Sequence, residues 1–388
     1  MASIKLKGDT SGEVTISAPA VAGTTTLELP ATSSTLATQN ALGVRNLIIN
    51  GDMRIAQRGT STSSITGSGF HTIDRFYTTL SSLGTWTHSQ DTDVPTGQGF
   101  AKSYKMQCTT ADASPSASDY KIWSHKIEAQ MLQHLKYGTS SAEKLTVTFW
   151  VKSNKTATYI LEFQQPDADR ISSNAFTIDS ADTWEKKTIT IDGDTLGTIN
   201  NDNGSGLELN FWFGAGTTFT SGTLSSTWAA KVSANRCVGI SNLADSTSIY
   251  INITGLQLEI SDGQATPFEH RPYDMELARC QRYYYRIASN RIDTGLSINT
   301  TQTDGILTFP VTMRTSPTAL EQSGTASGYR IWTAAAGNIC TSVPVYIDAN
   351  TYSSTTRFTT GSGTQTAGQV TLFGTVNATD YLAWSAEL

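Results

Sequence analysis

The chain lacks most of what a nucleic-acid binder, a membrane protein or an enzyme needs. Charged residues make up only 15% of it, the formal net charge is −6, and no Lys/Arg cluster occurs anywhere. Binding to a phosphate backbone draws on counterion release and needs a basic stripe. No nucleic-acid partner is therefore expected, and no anionic lipid surface either. No apolar stretch approaches the length of a transmembrane helix, so membrane insertion is not expected. Met1-Ala2-Ser3-Ile4-Lys5 lacks the apolar run of a signal peptide. The expectation is a soluble product made in a cytoplasm.

Cysteine is also sparse. Cys108, Cys237, Cys280 and Cys340 form no CxxC, and no His pair stands at metal-ligand spacing. Reduced, buried thiols acting as small hydrophobes are expected. Motifs for chemistry are missing as well. Gly138 to Lys144 lacks the second glycine of a Walker A loop, and Gly67-Ser68-Gly69 has no third glycine or following helix pattern. There is no HExxH and no GxSxG. The five histidines, at 71, 88, 125, 134 and 270, are isolated. No enzyme and no cofactor is expected. Two loops have oxygen ligands that leave calcium open. Asp192-Gly193-Asp194 begins like a calcium loop, although Leu196 replaces the next ligand. Asn200-Asn201-Asp202-Asn203-Gly204 also reads as an ordinary turn. Paired carboxylates distant in sequence stay possible for glycoside hydrolysis.

What the chain has in quantity is Thr and Ser, about a quarter of all residues, together with 31 Gly. Thr suits a pleated surface, while Ser and Gly suit turns. The class is all-β. Residues 1–45 form a separate segment too short to bury a core alone. Within it, 12–17 and 24–29 read as a short strand pair, ordered by sister chains or a docking partner. Residues 46–270 carry strand-like runs at 72–79, 103–108, 145–152, 158–164, 184–191, 207–213 and 248–259, a spacing that predicts a jelly-roll β-sandwich. Residues 128–135, with Met131, Leu132 and Leu135 at helical spacing, read as a helix inside it. Residues 271–285 read as a helical connector started by Pro272, with Met275, Leu277, Ala278 and Tyr285 as its apolar contacts. Residues 286–388 return to strands at 305–311, 329–332, 343–347, 355–359, 369–376 and 381–388, and predict a small distal β-sandwich.

Alternation sorts the faces. Leu145, Val147, Phe149 and Val151 share one face, as do Leu207, Leu209, Phe211 and Phe213, and Ile249, Ile251 and Ile253. Trp150, Trp212 and Tyr250 then fall on the polar faces, as subunit packing or as stacking platforms for sugar. Past Ile253 the apolar parity flips to Leu256 and Leu258, and a β-bulge at Gly255 explains it.

Several segments resemble bacteriophage tail-fibre and related virion proteins. Gly12-Glu13-Val14-Thr15-Ile16, Ala18-Pro19-Ala20, Gly23-Thr24-Thr25-Thr26-Leu27-Glu28-Leu29-Pro30 and Leu36-Ala37 look like the amino-terminal strand pair of phage fibres. Two groups bracket a domain similar to the carbohydrate-binding-module-like jelly roll of phage proteins. The first is Asn46-Leu47-Ile48-Ile49-Asn50-Gly51-Asp52-Met53, with Gln57-Arg58-Gly59-Thr60 and Asp74-Arg75-Phe76. The second is Gly255-Leu256-Gln257-Leu258-Glu259, with Ala265-Thr266-Pro267-Phe268-Glu269-His270-Arg271-Pro272. Glu276-Leu277-Ala278-Arg279-Cys280-Gln281-Arg282-Tyr283-Tyr284 resembles the segment that comes directly after that domain in phage proteins. Phe309-Pro310-Val311-Thr312-Met313-Arg314 and Ala386-Glu387-Leu388 look like their carboxy-terminal domain.

The resemblance implies a homotrimeric tail-fibre subunit located in the virion. Residues 1–45 would meet other tail or baseplate proteins, and the distal end would meet a host-surface glycan or receptor. On that orientation host contact is expected in residues 286–388, with Tyr329, Trp332 and Tyr352 as contact candidates. Alternatives are a polysaccharide depolymerase, which would resemble a parallel β-helix not seen in this sequence, and a purely structural tail or capsid appendage.

Overall fold

The computed structural model describes residues 3–7, 11–17, 45–261, 263–334, 336–361, 365–377 and 379–388. The chain separates into two compact units, residues 1–43 and 44–388.

In the first unit, Ser3–Lys7 pairs antiparallel with Glu13–Ser17. The expected strand at 12–17 is present, but its described partner precedes it in the chain. The expected partner, residues 24–29, lies outside the described residues.

The second unit opens with two facing antiparallel sheets. The seven-stranded sheet runs Ala229–Ala230, Arg170–Ile178, Ala157–Gln165, Ser205–Ala215, Tyr120–Glu128, Phe76–Ser81, Gly69–Phe70. The six-stranded sheet runs Glu185–Ile191, Leu145–Ser153, Tyr250–Ile260, Ser103–Thr110, Thr85–Asp91, Ser61–Ile65. Alternation produces the core between them. Leu145, Val147, Phe149 and Val151 from one sheet, and Leu207, Leu209, Phe211 and Phe213 from the other, are all fully buried. Phe149 and Phe211 meet edge-to-face at 5.1 Å. Full burial of side chains of this size contributes about 1.5–3 kcal/mol each. This is the jelly-roll sandwich that the spacing predicts. The parity flip is also present: pairing with Leu145–Ser153 shifts register between Thr254 and Gln257, and Gly255 has φ +63°.

Residues 128–135 correct an expectation. They form no α-helix but two short 3₁₀ turns, Ala129–Met131 and Gln133–Leu135, ended by Lys136 at φ +56°. Glu128 is the last residue of its strand, and its buried carboxylate accepts from Arg282 and Tyr283.

The connector contains one helix, Tyr273–Gln281, directly after Pro272. Its apolar side is small, with Cys280 buried and Leu277 packed against Ile49, Ile55 and Tyr283, and a polar anchor stands beside it. Glu276 is buried, ion-pairs with Arg271 and accepts from the Asn50 backbone N–H, while Met275 is 49% exposed. Arg271 also donates to the carbonyls of Asn46 and Ile48. Tyr285 belongs to the next strand, Tyr284–Ile287.

Beyond the connector the expected sandwich is replaced by a closed barrel. Its strands are Asp293–Ser297, Gln302–Thr308, Ser353–Thr360, Gly337–Ala349, Tyr329–Trp332 and Val370–Thr375. Small inward residues (Ser297, Thr303, Gly305, Ser354, Thr356, Thr371) leave room for Phe358 and Phe373, whose rings lie 4.8 Å apart. A side chain at Gly305 would stand 2.4 Å from the Phe373 ring. A further sheet, Tyr284–Ile287, Leu382–Ser385 and Glu321–Gln322, packs Leu382 and Trp384 into the barrel core, with Tyr285 against it. The expected final strand stops at Ser385. The residues after it are held otherwise: Glu387 ion-pairs with Arg58 and Arg75, and Arg314 donates to the carbonyls of Ala386 and Glu387.

Candidate functional site

The outer face of the seven-stranded sheet carries three cross-strand rungs, set by register. Ile122, Trp212 and Ile160 form the first; Ser124, Asn210 and Glu162 the second; Lys126, Glu208 and Gln164 the third. Directly opposed residues of neighbouring strands share a face, so each rung presents one chemical type.

The apolar rung is covered. The segment from Thr217–Thr220 to Cys237 folds over it and brings Phe219 and Leu224 onto Trp212, with Tyr120 beside them. Arg236 clamps this cover. It donates to both Glu162 oxygens at 2.6 and 2.8 Å and to Gln164 at 3.1 Å, and its guanidinium lies 4.7 Å from the Trp212 ring.

Ser124 and Asn210 of the second rung and all of the third line a groove of about 190 Å³, while Glu162 is fully buried beneath Arg236. The groove floor is internally bonded. Ser124 Oγ donates to Asn210 Oδ1 at 2.7 Å, Asn210 Nδ2 donates to Glu162 at 3.1 Å, and Lys126 pairs with Glu208 at 3.5 Å. Tyr120 and Phe219 wall one end. Beyond the other, Lys126 lies over Tyr77, 5.5 Å from its centroid, and Tyr77 packs on Phe70. Fixed donors and acceptors beside aromatic faces suit a polyol with apolar C–H surface. Among the described residues no nucleophile–base pair lines the groove.

The structure separates the sequence-derived candidates. Trp212 is fully buried beneath the cover. Trp150 and Tyr250 are half-buried on the outer face of the opposite sheet, so the three form no common platform. Tyr250 donates to Asp182 at 2.5 Å and has Lys105 4.8 Å from its ring centroid. Nearby, Asp93 accepts from Lys152 and Trp184. In the barrel, Tyr329 is 0% exposed and donates to the Tyr381 carbonyl, so it offers a ligand no surface. Trp332 is half-buried with Arg291 and Arg330 about its ring, and Tyr352 is 63% exposed.

The calcium candidates have protein partners. Asp194 is buried and accepts from Arg170 and Gln165, and Asp192 pairs with Lys144. Asn200 donates to Asp167, and Asn203 exchanges bonds with Arg314. Among the described residues no group of three or more His, Cys, Asp or Glu is placed to hold a metal. All four cysteines are buried and unbridged.

Sequence reasoning missed Tyr120, Ser124 and Lys126 because their strand was not recognised. Its inward positions include Lys121 and His125, both buried, and these polar residues break the apolar alternation. Arg236 and Phe219 lie in an irregular cover with no periodic signal.

No family model matches the chain, and no curated protein matches it in sequence. Solved structures do align. The enzymatically active domain of Bacteriophage CBA120 tailspike protein 4 aligns at 13% identity over 56% of this chain, with a TM-score of 0.30. The alignment spans only 21% of that protein. TmCBM61 in complex with β-1,4-galactotriose aligns at 9% identity over 56% of this chain and 99% of its own, TM-score 0.28. The family 11 carbohydrate-binding module of a cellulosomal cellulase of Clostridium thermocellum aligns at 10% identity over 54% and 100%, TM-score 0.26. At these values the alignments add nothing to the strand order, which by itself makes this chain an all-β protein with a jelly-roll sandwich.

Proposed function

We propose that this chain is the receptor-binding subunit of a bacteriophage tail fibre, a virion component that binds host-surface glycan without cleaving it. The observation that carries the reading is the groove over Ser124, Asn210 and the Lys126–Glu208–Gln164 rung. It is polar at its floor, aromatic at its margins, and held in shape by the Arg236 clamp. Supporting it are the motifs that resemble phage fibres, which run along the chain in the expected order. Residues 1–45 would meet other tail proteins. Three copies would assemble, and the aliphatic side chains exposed on the barrel (Leu296, Ile306, Val345, Ile347, Val370) are surface that such assembly could cover. A weak groove suffices, because several copies on one particle multiply avidity.

The test is host-cell binding by the purified full-length protein and its Lys126→Ala/Glu208→Ala variant, with light scattering on both. The reading expects three copies and at least about a tenfold loss of binding on losing two charged contacts. Unchanged binding by a folded variant would move recognition elsewhere. The barrel is then the second reading, favoured by the exposure of Tyr352, and Trp332→Ala/Tyr352→Ala would carry the loss instead.

A further inference from the structure

A cavity of about 300 Å³ is a cleft between the jelly roll and the three-stranded sheet. The register of that sheet builds one side of it. Arg286 pairs with Ala383, and Ala383 with Glu321, so Arg286 and Glu321 stand on one face with Ala383 between them. Their Cα atoms are two strand spacings apart, about 10 Å. Alanine leaves the middle of this face low. Arg58 and His71 approach from the jelly roll.

Two guanidiniums are held rigidly here. Arg58 stacks 3.5 Å from the Tyr284 centroid, and Arg286 stacks 3.8 Å from that of Tyr381. Arg58 pairs with Glu387. Arg286 has no carboxylate partner among the described residues. Its Nη1 donates to the carbonyls of Gln57 and Arg58, and its remaining guanidinium N–H groups have no acceptor among the described residues. His71 Nε2 is buried and likewise unpartnered. Across Ala383, Glu321 accepts from the Tyr284 hydroxyl and is itself exposed.

We infer that this cleft binds the carboxylate-bearing ring of an acidic sugar, a hexuronate. A planar guanidinium with unengaged N–H groups matches a carboxylate in fork geometry. Glu321 at the far side repels a second negative charge but accepts from sugar hydroxyls. The lining therefore selects a ligand anionic at one end and hydroxylated at the other. The volume lies at the small end of ligand sites and suits a single ring. The cleft shares no lining residue with the groove, so this inference stands or falls separately from the groove reading.

The test uses the full-length protein in saturation-transfer NMR titrations with D-galacturonate, D-galactose and inorganic sulfate. Galacturonate should bind at least about tenfold more tightly than galactose, and Arg286→Gln should lose about tenfold or more of that affinity. Glu321→Gln, which removes the like charge, should tighten galacturonate. Equal binding of galactose and galacturonate would overturn the inference. Sulfate competing as well as galacturonate would reduce the cleft to a simple anion hole and overturn it too. If Arg286→Gln does not fold, Glu321→Gln decides: no gain in galacturonate affinity counts against the site.

Discussion

Lys121 places an amine in a hydrophobic core. It is 0% exposed, its Nζ lies 3.0 Å from His88 Nε2, and it sits 4.3 Å from the Trp86 ring centroid. His88 in turn shares a bond with the Tyr104 hydroxyl. Burial pushes the Lys121 amine down to about 7, and the His88 imidazole well below its ordinary value. The folded state prefers the neutral amine. Stability is therefore fullest above the unfolded value near 10.5 and falls as pH drops toward about 7, while the unfolded amine takes a proton that the folded one refuses. Below that it is flat. Each unit of depression is worth about 1.4 kcal/mol. Lys121→Met removes this penalty but leaves His88 Nε2 unpartnered, so a net gain of about 1–3 kcal/mol at neutral pH is expected. Urea midpoints at pH 7 and 9.5 check it. The native protein should gain stability at the higher pH and the variant should not; parallel behaviour of the two would contradict the assignment.

Gly255 sets the phase of its strand. A side chain there would require a left-handed residue with φ +63°, and its Cβ would lie 2.5 Å from Phe100 Cζ. Gly97 has a similar backbone, φ +76°, but open space around it. Gly255→Ala is expected to cost about 2–4 kcal/mol and Gly97→Ala only about 1. Denaturant unfolding of both separates clash from backbone strain, and equal costs would mean that Phe100 yields. This glycine was legible in the sequence because the apolar parity flips around it. The strands at 145–152 and 207–213 were legible for the same reason, being cleanly alternating with one face in the core. Tyr120–Glu128 was not, since Lys121 and His125 point inward beside Trp123 and Ile127. The turns after it mimic a helix, because Met131, Leu132 and Leu135 follow helical spacing while the backbone turns by 3₁₀ geometry. The groove was only half legible: alternation put Glu208, Asn210 and Trp212 on one face, but Arg236 and Phe219 reach them from a cover without a period.

At the scale of the molecule, buried polar groups join the jelly roll to the barrel beside a small apolar cluster of Ile49, Ile55, Cys280 and Tyr283 with Leu277 and Leu388. Glu387 accepts from Arg75, whose side chain is 1% exposed, and Gln57 bridges Asp74 to the Tyr284 carbonyl. Burial raises the Asp74 carboxyl to about 6. Glu387→Gln leaves Arg75 buried without its carboxylate, a loss of about 3–5 kcal/mol. Limited proteolysis within residues 276–287, which are buried or half-buried in the native fold, should then be faster than in the native protein; an unchanged rate would show that other contacts hold the joint. The same residues explain why Ala386-Glu387-Leu388 and Asp74-Arg75-Phe76 stand out as motifs: they brace the fold, whereas the groove uses none of them. The most direct test of the groove as the recognition site is a crystal structure of the full-length chain with an oligosaccharide released from the host surface. The account predicts sugar density along Ser124, Lys126, Glu208 and Asn210. Density over Trp332 and Tyr352 on the barrel, with the groove empty, would contradict it.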